Sequence, residues 1–556
     1  MYQRTDAGSL VGKALANHAV KKVFALQGGH IDPILYGMKH VGIEIIDTRH
    51  EQGAALMAEA WALKTGDTGV CAVTAGPGLT NAVTGLSNAF INGTPMVCLA
   101  GRRPMAHADA WTLQELDQLR LVEPITKWAK SVASAERAAE YVRNAFAQAR
   151  SPRLGPTYLD IPVDILSQPI DAHLLDSVAQ PISETGPMPN GSDIDLLVDL
   201  LQKAERPIVV VGSGAHWSRA HDSLTSFANT YKVPIYSANA GRGIISDSDP
   251  WCFGPAAPAG SFIEASTNAD LIICMGVRLG YLFMNGALFQ GAKLVRIDIN
   301  GGELATGFPG QVNIQADVKA TCDALLDAYK SGSSHQEWAD KLAKTASEAK
   351  KAFASVELGP NGLIHPAAAV SAMVDVGGPD ASYVTDGGDA MTYGMAGFPA
   401  NHPGQLLGTS VYFGALGVGI PYAIASSLSA PDKPCLLWVG DGAFGFNAIE
   451  FETAIRHKIP FVAVVANNGV WGMSYHGQGL MFGYDELVSV EIGDVAYHEL
   501  VRSLGGYGEK VTELKDLRPA IERAIESNLP ACINVTIDKD AVSFATQAMA
   551  SIGFGG

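Results

Sequence analysis

The feature that most restricts the fold of this sequence is a set of short, wholly apolar runs, each stopped by glycine or a polar residue and followed by a helical pattern. In the first third they are "KKVFALQGG", "IEIIDTRHE", "GVCAVTAGPG" and "TPMVCLAG". Between two of them, in "HEQGAALMAEAWALKTG", Leu56, Ala60 and Leu63 recur at helical spacing. A strand with one face in water alternates apolar and polar residues. A run that is apolar at every position needs cover on both faces, and intervening helices supply it. The predicted fold class is therefore α/β, built from doubly wound parallel sheets.

The pattern occurs three times. A chain of 556 residues exceeds one core and suits about three domains. The first unit is expected over 1–182, up to the Pro/Gly-rich linker "ISETGPMPNGSD". A second, over 190–335, carries "RPIVVVGSG", "DLIICMGVR" and "AKLVRIDIN". The polar helix "HQEWADKLAKTASEAKKAFASVE" and the break "LGPNGLIHP" lead to a third over 356–540, with "ASYVTDGG", "CLLWVGDG", "FVAVVANN" and "ACINVTI", and 541–556 remain as a C-terminal tail.

Composition narrows the function classes. A net charge of −17 argues against a nucleic-acid partner, which demands clustered Lys and Arg. No apolar run of about 18 residues predicts a membrane span. The start, "MYQRTDAGSLVGKALANHAV", reads as an amphipathic helix and lacks the apolar core of a signal peptide. Seven scattered cysteines without CxxC spacing predict neither a disulfide framework nor a zinc site. A cytoplasmic protein is expected.

The densest chemistry lies in "GDGAFGFNAIEFETAIRHKIPFVAVVANNGVWGM". "CLLWV" is a buried strand, Gly440-Asp441-Gly442 its C-terminal turn, and Phe451, Ala454 and Ile455 mark the apolar side of the following helix. "FVAVVA" is the next strand, ending at Asn467-Asn468-Gly469. Ligands of open parallel sheets collect at strand C-termini, so Asp441 and Asn468 are expected to face one crevice beside a helix N-terminus suited to phosphate. A carboxylate and a neutral carbonyl suit Mg2+, which keeps phosphate oxygens and water as its other ligands. Either half alone reads as a helix cap or a turn; the pair does not. In the middle unit "VVVGSGAHW" places Gly212 and Gly214 after a strand, but Trp217 stands where a dinucleotide fingerprint has its third glycine. Tightly bound FAD is not expected.

These motifs resemble those of thiamine-diphosphate enzymes of the acetohydroxyacid synthase/benzaldehyde lyase type, closest to the benzaldehyde lyase group. In that family GDG, some 25–30 residues and NN form the diphosphate signature, with Asp, the second Asn and a backbone carbonyl two residues later on the metal. The resemblance assigns these roles to Asp441, Asn468 and Val470, with Gly440 and Gly442 beside the cofactor. It spans nearly the whole chain, as pyrimidine-binding, central and diphosphate-binding domains in order. "IIDTRHEQGAALMAEAWA" matches the first domain's signature and makes Glu51 the carboxylate that meets the aminopyrimidine. Such a carboxylate raises the basicity of the cofactor's own amino group, the base for the thiazolium C2 proton. "VYFGALGVG" matches the segment that bends the cofactor, giving Leu416 as wedge and Gly414 as acceptor from the amino group.

"QGGHIDPI", "TLQELDQ", "PITKWA" and "PACINV" resemble the benzaldehyde lyase group. There the residues matching His30 and Gln114 flank the thiazolium and handle substrate hydroxyls and protons. Tyr393 and His476 fall where the family lines its substrate pocket. Two departures stand out: "TDGGDAMTYG" is longer than the equivalent loop, and Ser410 replaces a His. The resemblance implies a lyase/carboligase cleaving and forming C–C bonds of 2-hydroxy ketones from aldehydes, using thiamine diphosphate and Mg2+. An acetolactate synthase acting on pyruvate or another 2-keto acid, a 2-hydroxyacyl-CoA lyase and a non-catalytic cofactor-binding scaffold are the alternatives. It also implies a homodimer or homotetramer with sites at the interface.

Overall fold

A computed structural model describes residues 5–182, 186–257, 259–329, 331 and 335–552. Residues 183–185 of the expected linker and 553–556 of the tail lie outside the described residues. Three six-stranded sheets carry the chain, and all their strand pairings are parallel. This is the α/β class that the apolar runs demand. Among the described residues no helix is long and apolar enough to cross a membrane.

Two compact units divide the chain. The first comprises Met1–Thr185, Phe413–Ser429 and Ile449–His457. Its strands run in the order Glu44–Asp47, Lys22–Ala25, Gly69–Val73, Met96–Arg102, Pro156–Pro162, Trp128–Ser131. Chain direction across the sheet reverses between Lys22–Ala25 and Gly69–Val73, and a crevice opens beyond the C-termini of strands at such a switch. The loops entering it are Gln27–His30 and Thr74–Gly78. The Glu51–Thr65 helix is buried on nearly all sides, because the Gly419–Ser429 helix packs against it within this unit. Tyr422 of that helix pairs its hydroxyl with Asn88 Nδ2 at 3.2 Å. Buried Glu59 accepts from Asn88, Asn92 and Thr94, and burial pushes its carboxyl up.

The second unit comprises Gly186–Tyr412, Ala430–Ala448 and Lys458–Gly556 and holds two sheets. In one the order is Val312–Gln315, Lys293–Asp298, Leu271–Met275, Pro207–Val211, Ile235–Ser237, Cys252–Pro255. Gly212 and Gly214 follow the fourth strand, and a Cβ on Gly214 would sit 2.5 Å from Gly276 Cα. These glycines let two strand ends touch. The other sheet runs Leu406–Gly408, Ser382–Asp386, Cys435–Gly440, Val462–Asn467, Ala531–Thr536, Tyr507–Val511. Its direction reverses between Ser382–Asp386 and Cys435–Gly440. The single helix expected after Asp441 is two, Asp441–Asn447 and Glu450–Arg456, and the break at Ala448–Ile449 sends them to different units.

The loop bearing His30 is anchored by a tight crossing of the helices Ala7–Asn17 and Asp32–His40. A Cβ on Gly12 would lie 2.4 Å from the Gly37 carbonyl carbon. Gly12→Ala gains up to about 1 kcal/mol of helix propensity but forces two backbones apart, at about 1–3 kcal/mol. The expected net result is a lowered thermal midpoint, followed by circular dichroism. Gly191→Ala, where an added Cβ meets nothing, serves as the neutral control.

Candidate functional site

In the first unit, three strand ends contribute to one wall. Glu51 opens its helix directly after the Glu44–Asp47 strand and the Thr48–His50 turn. His50 caps that helix, its Nδ1 accepting from Gln52 N at 3.1 Å. Glu51 is only 5% exposed. Its Oε2 accepts from Asn81 Nδ2 at 2.8 Å, and no cationic side chain pairs with it among the described residues. The helix N-terminus is the favourable field that remains. Beside it, a Cβ on Gly78 would meet Thr74 Cγ2 at 2.8 Å and Glu51 Oε1 at 3.4 Å, so Thr74 and Glu51 flank the same glycine.

Thr74 Oγ1 donates to Gln114 Oε1 at 3.4 Å, and the Gln114 side chain lies close enough to buried His30 to act on its pKa. Burial holds the His30 pKa below 6.5, and Gln114 partly opposes this. Gly101 leaves room for the His30 backbone and Cβ: a Cβ there would lie 2.4 Å from His30 Cβ. Glu51, His30 and Gln114, expected together from the sequence, therefore stand on one continuous wall with Thr74 between them. Behind it Gln118 accepts from Gly76 N at 2.8 Å and donates to Gly101 O at 2.9 Å and Tyr158 Oη at 2.7 Å. Gly414, exposed with φ +68°, and half-buried Leu416 belong to this unit's 413–429 segment.

In the second unit, the glycine turns Gly387-Gly388 and Gly440-Asp441-Gly442 end neighbouring strands. Asp441 is buried. Its Oδ1 accepts from Gly442 N and its Oδ2 from Gly469 N, both at 2.8 Å. The latter joins the two ends of the motif directly, and Gly469 turns there at φ +71°. Burial pushes the Asp441 carboxyl up to about 6 against the pull of those amides, and no cationic side chain pairs with it among the described residues. Asn468 Oδ1 accepts from Val470 N at 3.1 Å. The bridge between Val470 and Glu491 uses Trp471 N with Val490 O and Ile492 N with Gly469 O. It leaves the Val470 carbonyl without a backbone donor among the described residues. A Cβ on Gly442 would strike the Trp471 ring at 2.3 Å, so this floor stays bare backbone.

The two proposed pocket residues are bonded within this unit. His476 is buried with Nδ1 on Asp389 Oδ2 and Nε2 on Lys539 O, each at 2.7 Å. Asp389 also accepts from Ser543 at 2.6 Å and from Thr546, which ties the start of the tail to this unit. Tyr393 packs edge-on against His365 and donates to Ala541 O at 3.4 Å. Both ring nitrogens of His476 are thus spent inside the protein. Sequence reasoning passed over Thr74, Asn81, Gln118 and Asp389; "TAGPG" and "DGGD" at strand ends were the available signals for Thr74 and Asp389, and no local pattern marks Asn81 or Gln118.

The sequence matches families described as "Thiamine pyrophosphate enzyme" domains: the N-terminal TPP binding domain over residues 5–121, the central domain over 194–325 and the C-terminal TPP binding domain over 386–535. Among curated proteins it is 34% identical over 540 residues to a probable acetolactate synthase of Mycobacterium bovis, covering 96% of each chain. It is 29% identical over 554 residues to a 2-hydroxyacyl-CoA lyase of Arabidopsis thaliana, again with 96% of each chain. A 2-hydroxyacyl-CoA lyase 2 of Bos taurus is 28% identical over 579 residues, covering 96% of this chain and 90% of that protein.

The depressed His30 pKa has a signed consequence. As pH falls through 6.5 the unfolded chain takes up this proton before the folded one, so His30 lowers stability toward acid. NMR titration is expected to give a His30 midpoint below 6.5. His30→Gln is expected to lose less stability than wild type between about pH 7.5 and 5.5. A His30 midpoint above 6.5 would contradict the burial argument.

Proposed function

We propose that this chain, which belongs to the thiamine pyrophosphate enzymes, is a lyase/carboligase that cleaves and forms the C–C bond of 2-hydroxy ketones, with aldehydes as products and co-substrates. Its cofactor is thiamine diphosphate, and Mg2+ is the family's usual partner metal. One observation carries the substrate reading: buried His30, with Gln114 beside it, stands on the same wall as Glu51. A 2-hydroxy ketone must surrender its hydroxyl proton as the bond breaks, and a neutral imidazole beside a carboxylate-bearing wall suits that task.

The residues present fit the cofactor and its metal. Asp441, with a carboxyl raised by burial and no cation beside it, would hold Mg2+ together with Asn468 and the Val470 carbonyl. Gly440, Gly442 and the neighbouring glycine turn offer bare backbone for the diphosphate. Glu51 would take the aminopyrimidine, Gly414 its amino group, and Leu416 would press it into its bent form. Bound, the cofactor supplies a carbon nucleophile and an electron sink. Glu51 would hold the pyrimidine ring through its carboxylate. His30 accepts the substrate hydroxyl proton during cleavage and returns it during ligation. Gln114 orients His30 and the substrate oxygen. His476 acts through Asp389, and Tyr393 through packing, to shape the pocket floor.

A second reading, an acetolactate synthase, draws on the 34% identity to the Mycobacterium bovis protein. Loss of CO2 from a 2-keto acid demands no prior hydroxyl deprotonation, so His30 would be idle in that step and would serve only the ligation that follows it. A 2-hydroxyacyl-CoA lyase, by contrast, would use His30 in the same way. A pure binding scaffold leaves Glu51 without purpose. Assembly as at least a homodimer, the pyrimidine held by one copy and the diphosphate by another, is supported by Trp111 and Leu113. These lie just before Gln114 and are 98% and 76% exposed, apolar surface that a second copy would cover.

The test of function supplies the protein with thiamine diphosphate and Mg2+ and identifies products from a 2-hydroxy ketone, pyruvate and a 2-hydroxyacyl-CoA. Aldehyde from the 2-hydroxy ketone at the highest kcat/KM is expected; turnover of pyruvate alone would refute the reading. Glu51→Gln is expected to slow every reaction together, roughly 10²–10⁴-fold. His30→Ala is expected to spare C2 hydrogen–deuterium exchange of the cofactor, followed by NMR, while cutting 2-hydroxy ketone cleavage. Asp441→Ala is expected to abolish Mg2+-dependent cofactor binding in calorimetry, and unchanged affinity would remove Asp441 from the metal site.

A further inference from the structure

We propose that the Glu450–Arg456 helix is the positioning element for Glu51, and that Glu450 is its principal contact. This rests on the role given to Glu51 above. Glu450 belongs to the 449–457 segment of the first unit and is fully buried. Its Oε1 accepts from His50 N at 2.9 Å, and both carboxylate oxygens lie 3.2 Å from Arg49 N. Arg49 and His50 are the last two residues before Glu51. Thr453 Oγ1 donates to Glu450 Oε2 at 2.6 Å and fixes the carboxylate from its own helix. A Cβ on Gly53 would lie 2.5 Å from Glu450 Oε1, so the first turn of the Glu51 helix leaves space for it.

The same helix grips the turn at further points. Arg456 Nη1 donates to Asp47 Oδ1 at 2.6 Å and its Nη2 to Asp47 O at 2.8 Å. His457 Nε2 lies 2.8 Å from Asp47 Oδ1, and Arg49 Nε lies 3.6 Å from Glu452 Oε2. Every residue from Asp47 to His50 except Thr48 is therefore held from one short helix. Thr48 is held by its own sheet, through Ala25 O. A buried carboxylate without a cation is an expensive way to fill space, and an apolar side chain would pack there with less penalty. What the carboxylate supplies is two acceptors for two adjacent N–H groups that precede the helix and have no helical partner. The direction in which Glu51 leaves the turn follows from those two bonds.

The test uses the full-length protein with thiamine diphosphate and Mg2+. It compares Glu450→Ala, Glu450→Gln and Asp47→Ala, with Glu51→Gln as reference. Three quantities are read: deuterium uptake at the Arg49 and His50 amides by mass spectrometry, cofactor affinity by calorimetry, and C2–H exchange of the bound cofactor by NMR. Glu450→Ala is expected to expose both amides and slow C2–H exchange roughly 10–100-fold, as a misplaced group does, while affinity changes by less than about threefold. Glu450→Gln, which keeps an acceptor oxygen, is expected to recover most of the exchange rate. Unchanged C2–H exchange in Glu450→Ala beside a slow Glu51→Gln would overturn the positioning role and leave the reading of Glu51 standing. An unaffected Glu51→Gln would instead remove that reading. Cofactor affinity falling as far as exchange in Glu450→Ala would mark a general structural role and also overturn the proposal. If Glu450→Ala does not fold, Asp47→Ala decides: it is expected to raise uptake at Arg49–His50 with a smaller loss of exchange, and no change in either quantity overturns the proposal.

Discussion

Holding the Glu51 carboxylate out of water, with one amide donor from Asn81 and no cation beside it, is the condition around which the first unit is arranged. Removing a carboxylate from water costs several kcal/mol, and a neutral hydrogen bond with a helix N-terminus offsets only part of it. The remainder comes from the packing that keeps the group in place. Its helix is enclosed on nearly every side, the Gly419–Ser429 helix supplies much of that cover, and the turn before it is tied to Glu450. A buried acceptor with spare lone pairs is suited to a ligand that brings a donor.

The second unit answers the same kind of problem at Asp441. Its carboxylate closes onto the Gly469 amide, which turns two strand ends 28 residues apart in the chain into one corner. Burial raises its pKa to about 6; a divalent cation at this corner would reverse that shift. In both units candidate residues stand at a topological switch of a parallel sheet, where adjacent strands lead away in opposite directions and their C-terminal loops part. His30 and Thr74 follow the two switch strands of one sheet. Asp389 and Asp441 follow those of another.

Sequence reasoning reached the class of fold because strands such as Gly69–Val73, Pro207–Val211, Leu271–Met275 and Cys435–Gly440 are apolar at every position, a pattern with few alternatives. It passed over Trp128–Ser131, Cys252–Pro255 and Tyr507–Val511, which are sheet edges with half-exposed positions and carry no such pattern. Pro156–Pro162 begins and ends in proline, a local signal against a strand that its central burial outweighs. Asp441, Asn468 and Glu51 were legible as candidates because each sits in a fixed motif at a strand end. Gln118 and Glu450 were not. Their value lies in backbone groups of distant residues, Gly76 and Gly101 for one and Arg49 and His50 for the other, and no local spacing reports such contacts. The hydrogen bonds of His476 were not legible for the same reason: Lys539 O and Asp389 engage both nitrogens, and only the folded chain brings them there.

The central claim is that Glu51 is the group that receives the cofactor's aminopyrimidine. A crystal or cryo-microscopy structure with thiamine diphosphate and Mg2+ bound tests it most directly. The account predicts a Glu51 carboxylate oxygen about 2.6–3.2 Å from the pyrimidine ring nitrogen, with the metal on Asp441, Asn468 and the Val470 carbonyl. A cofactor seated with its pyrimidine away from Glu51, or a metal held by other residues, would contradict it.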